Sequence, residues 1–258
     1  SEFSPVRKES IRGIGILGSA KHIGNLMDLL INPIEDSDRA DIESAIVYNF
    51  RRIEDNEIKF NALKEALKSP KPKAKISVLS LLGKNPNNDS LNLIRSTLEN
   101  EKSVQLAAIN ALAKWPSQEP ASDLIQIASD KKNPNKNSAL DAYISIASKA
   151  KNPTEAYQKA LLLDESKNSL KRILAGMGQF GGKDAIDIIE PYLTDKVTRD
   201  EAASALTSIA RRIKNSNGVI ALETVNKILN SEASNSVKIE AAKLNSEMNL
   251  YKDYILDW

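Results

Sequence analysis

The sequence predicts an all-α protein, a right-handed α-α superhelix (solenoid) of about eight stacked helix pairs. Three observations predict it. An apolar pattern at offsets 0, 3, 4, 7, 8 and 11 recurs eight times, and those offsets form one stripe of a 3.6-residue helix. The copies start at positions 7, 42, 75, 104, 139, 170, 202 and 237, spaced 29 to 35 residues apart, and self-similarity at that period marks stacked repeats. Between the stripes lie clusters of Pro, Gly, Asn and Ser, and no alternating run survives as a strand candidate.

Four first helices carry the pattern clearly. They are Val104, Ala107, Ala108, Ala111, Leu112, Trp115; Ala202, Ala205, Leu206, Ile209, Ala210, Ile213; Ile42, Ala45, Ile46, Asn49, Phe50, Ile53; and Ala139, Ala142, Tyr143, Ile146, Ala147, Ala150. Weaker copies start at Arg7, Lys75, Leu170 and Val237. Each is followed by a second helical stripe, for example Ile23, Leu26, Met27, Leu30, or Ala121, Leu124, Ile125, Ala128. The breaks are turn chemistry: Asn85-Pro86-Asn87, Trp115-Pro116-Ser117, Asn152-Pro153-Thr154, Ser69-Pro70-Lys71-Pro72. Proline fixes φ and lacks a donor, so it belongs at turns and helix starts. Pro191 sits late in a second helix and is expected to kink or end it. Gly15 and Gly178, both at offset 8, are expected to admit close helix packing, and Gly181-Gly182 to end a helix in a left-handed cap. The last pair is expected to have a short second helix, 250–258, with Tyr254 and Trp258 covering the terminal apolar face, as an array needs a cap. The whole span 1–258 reads as a single array. Ser1-Glu2-Phe3 reads as a cloning remnant, and the repeat begins at once behind it, which predicts a piece cut from a longer protein.

Composition excludes several classes. Hydrophobic residues make up 41% and charged residues 27%, a folded class, while aromatics at 5% suit thin helix–helix interfaces. The 36 basic and 34 acidic residues leave +2, so neither nucleic acid nor an anionic membrane is an expected partner. No apolar run approaches the roughly 18 residues of a membrane span. There is no cysteine, which removes disulfides and thiolate chemistry without fixing a compartment. The single histidine, His22, reads as a surface residue, since no partner at metal-ligand spacing accompanies it. No cofactor, metal or small-molecule substrate is expected.

The first helices Asp38-Arg39-Ala40-Asp41-Ile42-Glu43-Ser44-Ala45-Ile46 and Thr198-Arg199-Asp200-Glu201-Ala202-Ala203-Ser204-Ala205-Leu206, closed by Arg51-Arg52-Ile53 and Arg211-Arg212-Ile213, resemble HEAT repeats of bacterial type. The resemblance covers essentially the whole chain and is specific for architecture. It implies an armadillo-like α-solenoid, although armadillo repeats are longer and carry a third helix. It also implies binding work: HEAT families dock proteins along the concave surface made by the second helices. The enzymes of this fold are poorer matches. Its iron-dependent hydroxylases use His-Glu pairs, and His22 has no neighbouring glutamate. Its DNA glycosylases need a strongly basic groove. Its bilin lyases offer no short motif to match.

The expected function is therefore a non-catalytic scaffold, not an enzyme, that binds a protein or peptide segment. Outward residues of the second helices, Lys64, Arg95, Gln126, Lys159 and Lys227, are the candidate contacts. The doubled arginines Arg51, Arg52, Arg211 and Arg212 are further candidates for capturing an acidic segment, although cations in a last turn also favour the helix dipole. From Arg51 to Lys84 the chain holds nine basic and four acidic residues, a solvated turn or a weak anion-facing patch. The alternative expectation is an accessory, positioning or dimerisation domain of a larger bacterial, exported enzyme whose catalytic module lies elsewhere.

Overall fold

The computed structural model describes residues 4–165, 167 and 169–255, with side chains as far as residue 249. The chain is an all-α solenoid of stacked helix pairs, with fifteen α-helices and no strand among the described residues. The first helices are α1 (Ser4–Leu17), α3 (Arg39–Phe50), α5 (Pro72–Gly83), α7 (Lys102–Leu112), α9 (Lys136–Ala147), α11 (Leu170–Phe180), α13 (Arg199–Ile213) and α15 (Asn235–Ile255). The second helices are α2 (Ile23–Ile31), α4 (Asn56–Leu67), α6 (Asn88–Arg95), α8 (Ala121–Ser129), α10 (Pro153–Leu163), α12 (Ile186–Ile189) and α14 (Gly218–Asn230). All eight expected stripes start inside a first helix. The chain divides into two compact units, Ser1–Ala142 and Tyr143–Trp258, the division falling inside α9.

Local chemistry sets the helix ends. Asp55, Asn87 and Asn152 precede α4, α6 and α10, and their side chains accept the backbone N–H of Glu57, Ser90 and Glu155. Each satisfies a donor the helix would otherwise leave orphaned. Pro72 and Pro153 occupy first turns, where the missing N–H costs nothing.

In the first unit α1, α3, α5 and α7 pack in succession as one row, and α2, α4 and α6 as a second row against it. In the second unit α11, α13 and α15 form the first row, and α13 and α15 also pack on α14. The stripes make this core. Val104, Ala108, Ala111, Leu112 and Trp115 are at most 5% exposed, as are Ala202, Ala205, Leu206, Ile209 and Ala210. The buried face is wider than a single stripe. Ile109, Leu140, Ile144, Ala203 and Thr207 are also buried, at offsets 1 and 5, because a first helix packs on its own second helix and on both neighbouring first helices. Ala107 and Ala150 sit at the margin and are only half-buried.

Several details correct the sequence reading. The third stripe starts at Ala74, fully buried, and the half-buried Lys75 next to it sends Nζ to Asn100 Oδ1 at 3.3 Å. No glycine among the described residues has positive φ: Gly181 follows α11 in extended conformation, and its N–H bonds Met177 O at 2.8 Å. The expected left-handed cap is therefore absent, and glycine is required for space instead, since a Cβ at Gly181 would lie 2.6 Å from Met177 O. The expected short helix 250–258 does not form separately; α15 runs unbroken to Ile255, because no Pro or Gly interrupts its last turns. Ser1–Phe3, expected from the sequence to be a cloning remnant, and Trp258 lie outside the described residues, as does the side chain of Tyr254. Pro191 does end its helix: α12 has four residues and passes into a 3-10 segment, Glu190–Thr194.

Polar side chains tie each repeat to the next. Arg7 donates to Asp38 through Nε at 2.6 Å and Nη2 at 3.2 Å, and both side chains are less than a tenth exposed. Asn135 Nδ2 reaches Lys102 O at 2.9 Å and Gln105 Oε1 at 2.8 Å. Asp200 Oδ1 accepts Ser234 N–H at 2.8 Å, and Lys171 pairs with Glu201 at 2.5 Å. Among the described residues two buried groups stand apart: Asn49 is fully buried in α3 with neither polar atom of its carboxamide bonded, and the buried Thr198 hydroxyl also has no hydrogen-bond partner.

The Arg7 hydrogen bonds, reinforced by its charge, hold the Asp38 carboxyl below the usual carboxylate range. A depressed carboxyl contributes stability above its unfolded pKa of about 3.9, and that contribution is lost as pH falls through the folded value. Arg7→Met is therefore expected to be less stable than the parent at pH 7, with the gap narrowing below about pH 4 as Asp38 protonates. Urea midpoints at pH 7 and pH 3 check this; an equal gap at both would mean that Arg7 acts only by packing.

Candidate functional site

The outward side of the second helices is the surface the sequence points to. In the first unit, Lys64 on α4 and Gln126 on α8 are exposed and make no hydrogen bond or ion pair among the described residues. Arg95, at the end of α6, is half-buried and held in place. Its Nε and Nη2 both lie 3.0 Å from Asp123 Oδ2, and Nη2 reaches Glu119 O at 3.2 Å. Glu119 in turn accepts the buried Trp115 indole at 3.1 Å and the Ser117 hydroxyl at 2.9 Å. Those bonds, the indole's first, lower the Glu119 pKa. Arg95 thus braces α6 against α8 and the α7–α8 turn. In the second unit Lys159 pairs with Glu155 one turn earlier at 2.7 Å, and Lys227 pairs with Glu190 at 2.6 Å.

The doubled arginines divide their work. Arg52 donates to Ile16 O, and Arg212 donates to Gly178 O at 2.9 Å, Gln179 O at 3.0 Å and Gly181 O at 2.5 Å. Both guanidiniums therefore satisfy carbonyls at the C-terminus of the preceding first helix, which would otherwise be orphaned. Their partners in each doublet face outward. Arg51 lies over the Tyr48 ring, 5.4 Å from its centroid, and Arg211 is 3.6 Å from Glu240. Arg212→Ala is expected to lower stability by about 1 kcal/mol through lost charge-assisted bonds. Arg211→Ala is expected to change it by less than about 0.5 kcal/mol, as for other exposed pairs. Thermal unfolding of the two variants compares them directly.

The lysine-rich stretch is partly paired: two of its lysines meet carboxylates and others meet neutral carboxamides. Lys68 pairs with Glu65 at 2.7 Å, Lys71 with Asn32 Oδ1 at 2.6 Å, and Lys73 with Asp36. His22 is exposed, and its Nδ1 accepts Ser19 N–H at 3.1 Å ahead of α2. Among the described residues no three His, Asp or Glu side chains are grouped to hold a metal, and no helix is long and apolar enough to cross a membrane.

Sequence reasoning missed one feature. In the second unit an open groove runs between the 3-10 segment and α14, lined by Glu190, Leu193, Thr194, Asn226, Lys227 and Asn230. Asn226 and Asn230 are exposed, one turn apart, and have no partner among the described residues. The spacing of the two asparagines was a readable signal; the groove beside them was not.

Comparison with known proteins matches one segment to a family. Residues 60–144 match the HEAT repeats family. The matched segment runs from within α4 to within α9 and contains Lys64, Arg95 and Gln126. No curated protein matches the chain. Among solved structures, human deoxyhypusine hydroxylase in complex with glycerol is similar at 14% identity, covering 93% of this chain and 100% of that one, with a TM-score of 0.39. An engineered protein is similar at 16% identity, covering 88% of this chain and 96% of that one, with a TM-score of 0.35.

Proposed function

We propose that the chain is a non-catalytic scaffold that binds another protein, or a peptide segment of one, along the outward side of its second helices. One observation carries this reading. In the matched segment Lys64 and Gln126 stand exposed on second helices with no intramolecular bond to satisfy them, whereas first-helix groups such as Arg7, Lys171 and Asp200 are tied to the neighbouring repeat. HEAT repeats are often protein-interaction modules, and stacked helix pairs offer extended surface rather than an enclosed cavity. One histidine and no cysteine leave little material for nucleophilic or metal chemistry.

Photo-crosslinking tests the proposal. A photoreactive residue is placed at Lys64 or Gln126, and for comparison at Asn110 or Ser103 on the exposed side of α7. Adducts with a defined protein from the second-helix positions, absent from the α7 positions, are the expected result. Equal adducts from both rows, or none from Lys64 and Gln126, would overturn it.

A further inference from the structure

We propose that the groove beside α14 binds an extended, basic segment of a partner polypeptide through the carboxamides of Asn226 and Asn230. The inference rests on the scaffold reading above and names the kind of segment it takes and where.

The groove exists because of Pro191. Proline removes an i→i−4 bond, and α12 gives way after four residues to the tighter 3-10 segment Glu190–Thr194. A short, narrow second helix leaves space against α14, whereas in the first unit α2 packs on α4 and α4 on α6. The ion pair from Lys227 Nζ to Glu190 Oε1 crosses the space.

The lining fits a polypeptide main chain. A carboxamide both donates and accepts, as a peptide group does. Asn226 and Asn230 are four residues apart, about 6 Å along a helix. Two residues of extended chain span roughly 6.6 Å, so successive like-facing peptide groups match the two side chains. On the opposite wall the exposed Thr194 hydroxyl, which donates to Pro191 O at 3.0 Å, is left able to accept, while Leu193 beside it is buried in the core.

The charges choose the sequence class. Asp187, Glu190 and Glu223 all act on the Lys227 ammonium, and Glu232 lies at the end of the groove, paired with Arg199 at 3.1 Å. Glu190 and Glu232 line the groove, each paired with one cation, and Asp187 and Glu223 near Lys227 leave the surroundings acidic, although the whole chain carries +2. Complementarity of that kind favours arginine and lysine side chains. An incoming cation competes with Lys227 for Glu190.

Panning a displayed library of random dodecapeptides against the full chain tests this, with three variants in parallel. One is Asn226→Ala/Asn230→Ala, whose side chains are exposed, so folding is preserved and circular dichroism confirms it. The second is Lys227→Ala. The third is Lys64→Glu/Gln126→Glu, remote in sequence from the groove. The expected result is enrichment of Lys- and Arg-rich peptides that bind the double asparagine variant about tenfold more weakly, bind Lys227→Ala at least as well as the parent, and ignore the third variant. Enriched peptides that are indifferent to Asn226 and Asn230, or that are acidic, overturn the groove; if those peptides are lost with Lys64→Glu/Gln126→Glu, the scaffold reading stands without it. No enrichment over an unrelated helical protein overturns both.

Discussion

Leu206→Asp is expected to unfold the second unit. Leu206 is fully buried in α13, the helix that α11, α12, α14 and α15 all pack against. Removing a buried leucine costs about 2–5 kcal/mol, and an unpaired carboxylate in the same place costs several more. The sum is comparable with the roughly 5–15 kcal/mol that holds a whole domain folded. Ser208→Asp, two residues on and exposed in the same helix, is the control; its cost is expected to stay within about 0.5 kcal/mol. Far-ultraviolet circular dichroism should show reduced helix for Leu206→Asp and a parental spectrum for Ser208→Asp. A guanidinium midpoint for Leu206→Asp within error of the parent would mean that the α13 core is misassigned.

Two glycines of α1, two residues apart, are expected to respond to alanine with opposite signs. A Cβ on Gly15 would meet Ala45 at 2.6 Å from its Cα and 2.8 Å from its Cβ, inside the contact between α1 and α3. Backbone cannot move aside as a long side chain can, so Gly15→Ala should cost about 1–3 kcal/mol. A Cβ on Gly13 meets nothing within 4 Å. Replacing that glycine removes backbone freedom from the unfolded chain and should add about 0.5–1 kcal/mol. Gly178 repeats the Gly15 geometry in the second unit, 2.6 Å from Ala205 Cα, and Gly178→Ala should follow Gly15→Ala. Denaturation midpoints for the three variants decide the matter, and a stable Gly15→Ala would show that the helices can separate freely.

The sequence was legible where structure is local and periodic. The Ala202 stripe places all its buried residues correctly and the Val104 stripe all but the half-buried Ala107, and Pro191 marks a real break, because burial on a helix face and a missing N–H are properties of neighbouring residues. The third register was read one residue late, since Lys75 beside Ala74 hides its start. The unbroken α15 was missed because a weakening stripe looks like a turn when no breaker is present to decide. What one sequence does not reveal is pairing across a repeat. Arg7 gives no sign that it bonds Asp38, nor Arg212 that its partners are carbonyls of α11. The candidate surface shared this fate. Second-helix exposure was readable for Lys64 and Gln126, whereas the brace around Arg95 and the groove at Asn226 depend on which turn lies opposite.

The polar ties have a kinetic consequence. Arg7 to Asp38 spans 31 residues, Asn135 to Lys102 spans 33, Ser234 to Asp200 spans 34 and Arg212 to Gln179 spans 33. Each closes a loop of one repeat, and none of the four requires distant parts of the chain to meet. Loop-closure entropy grows only logarithmically with length, and chains rich in near contacts fold quickly for their size. Folding can thus begin at any well-formed pair and spread to its neighbours like a zipper.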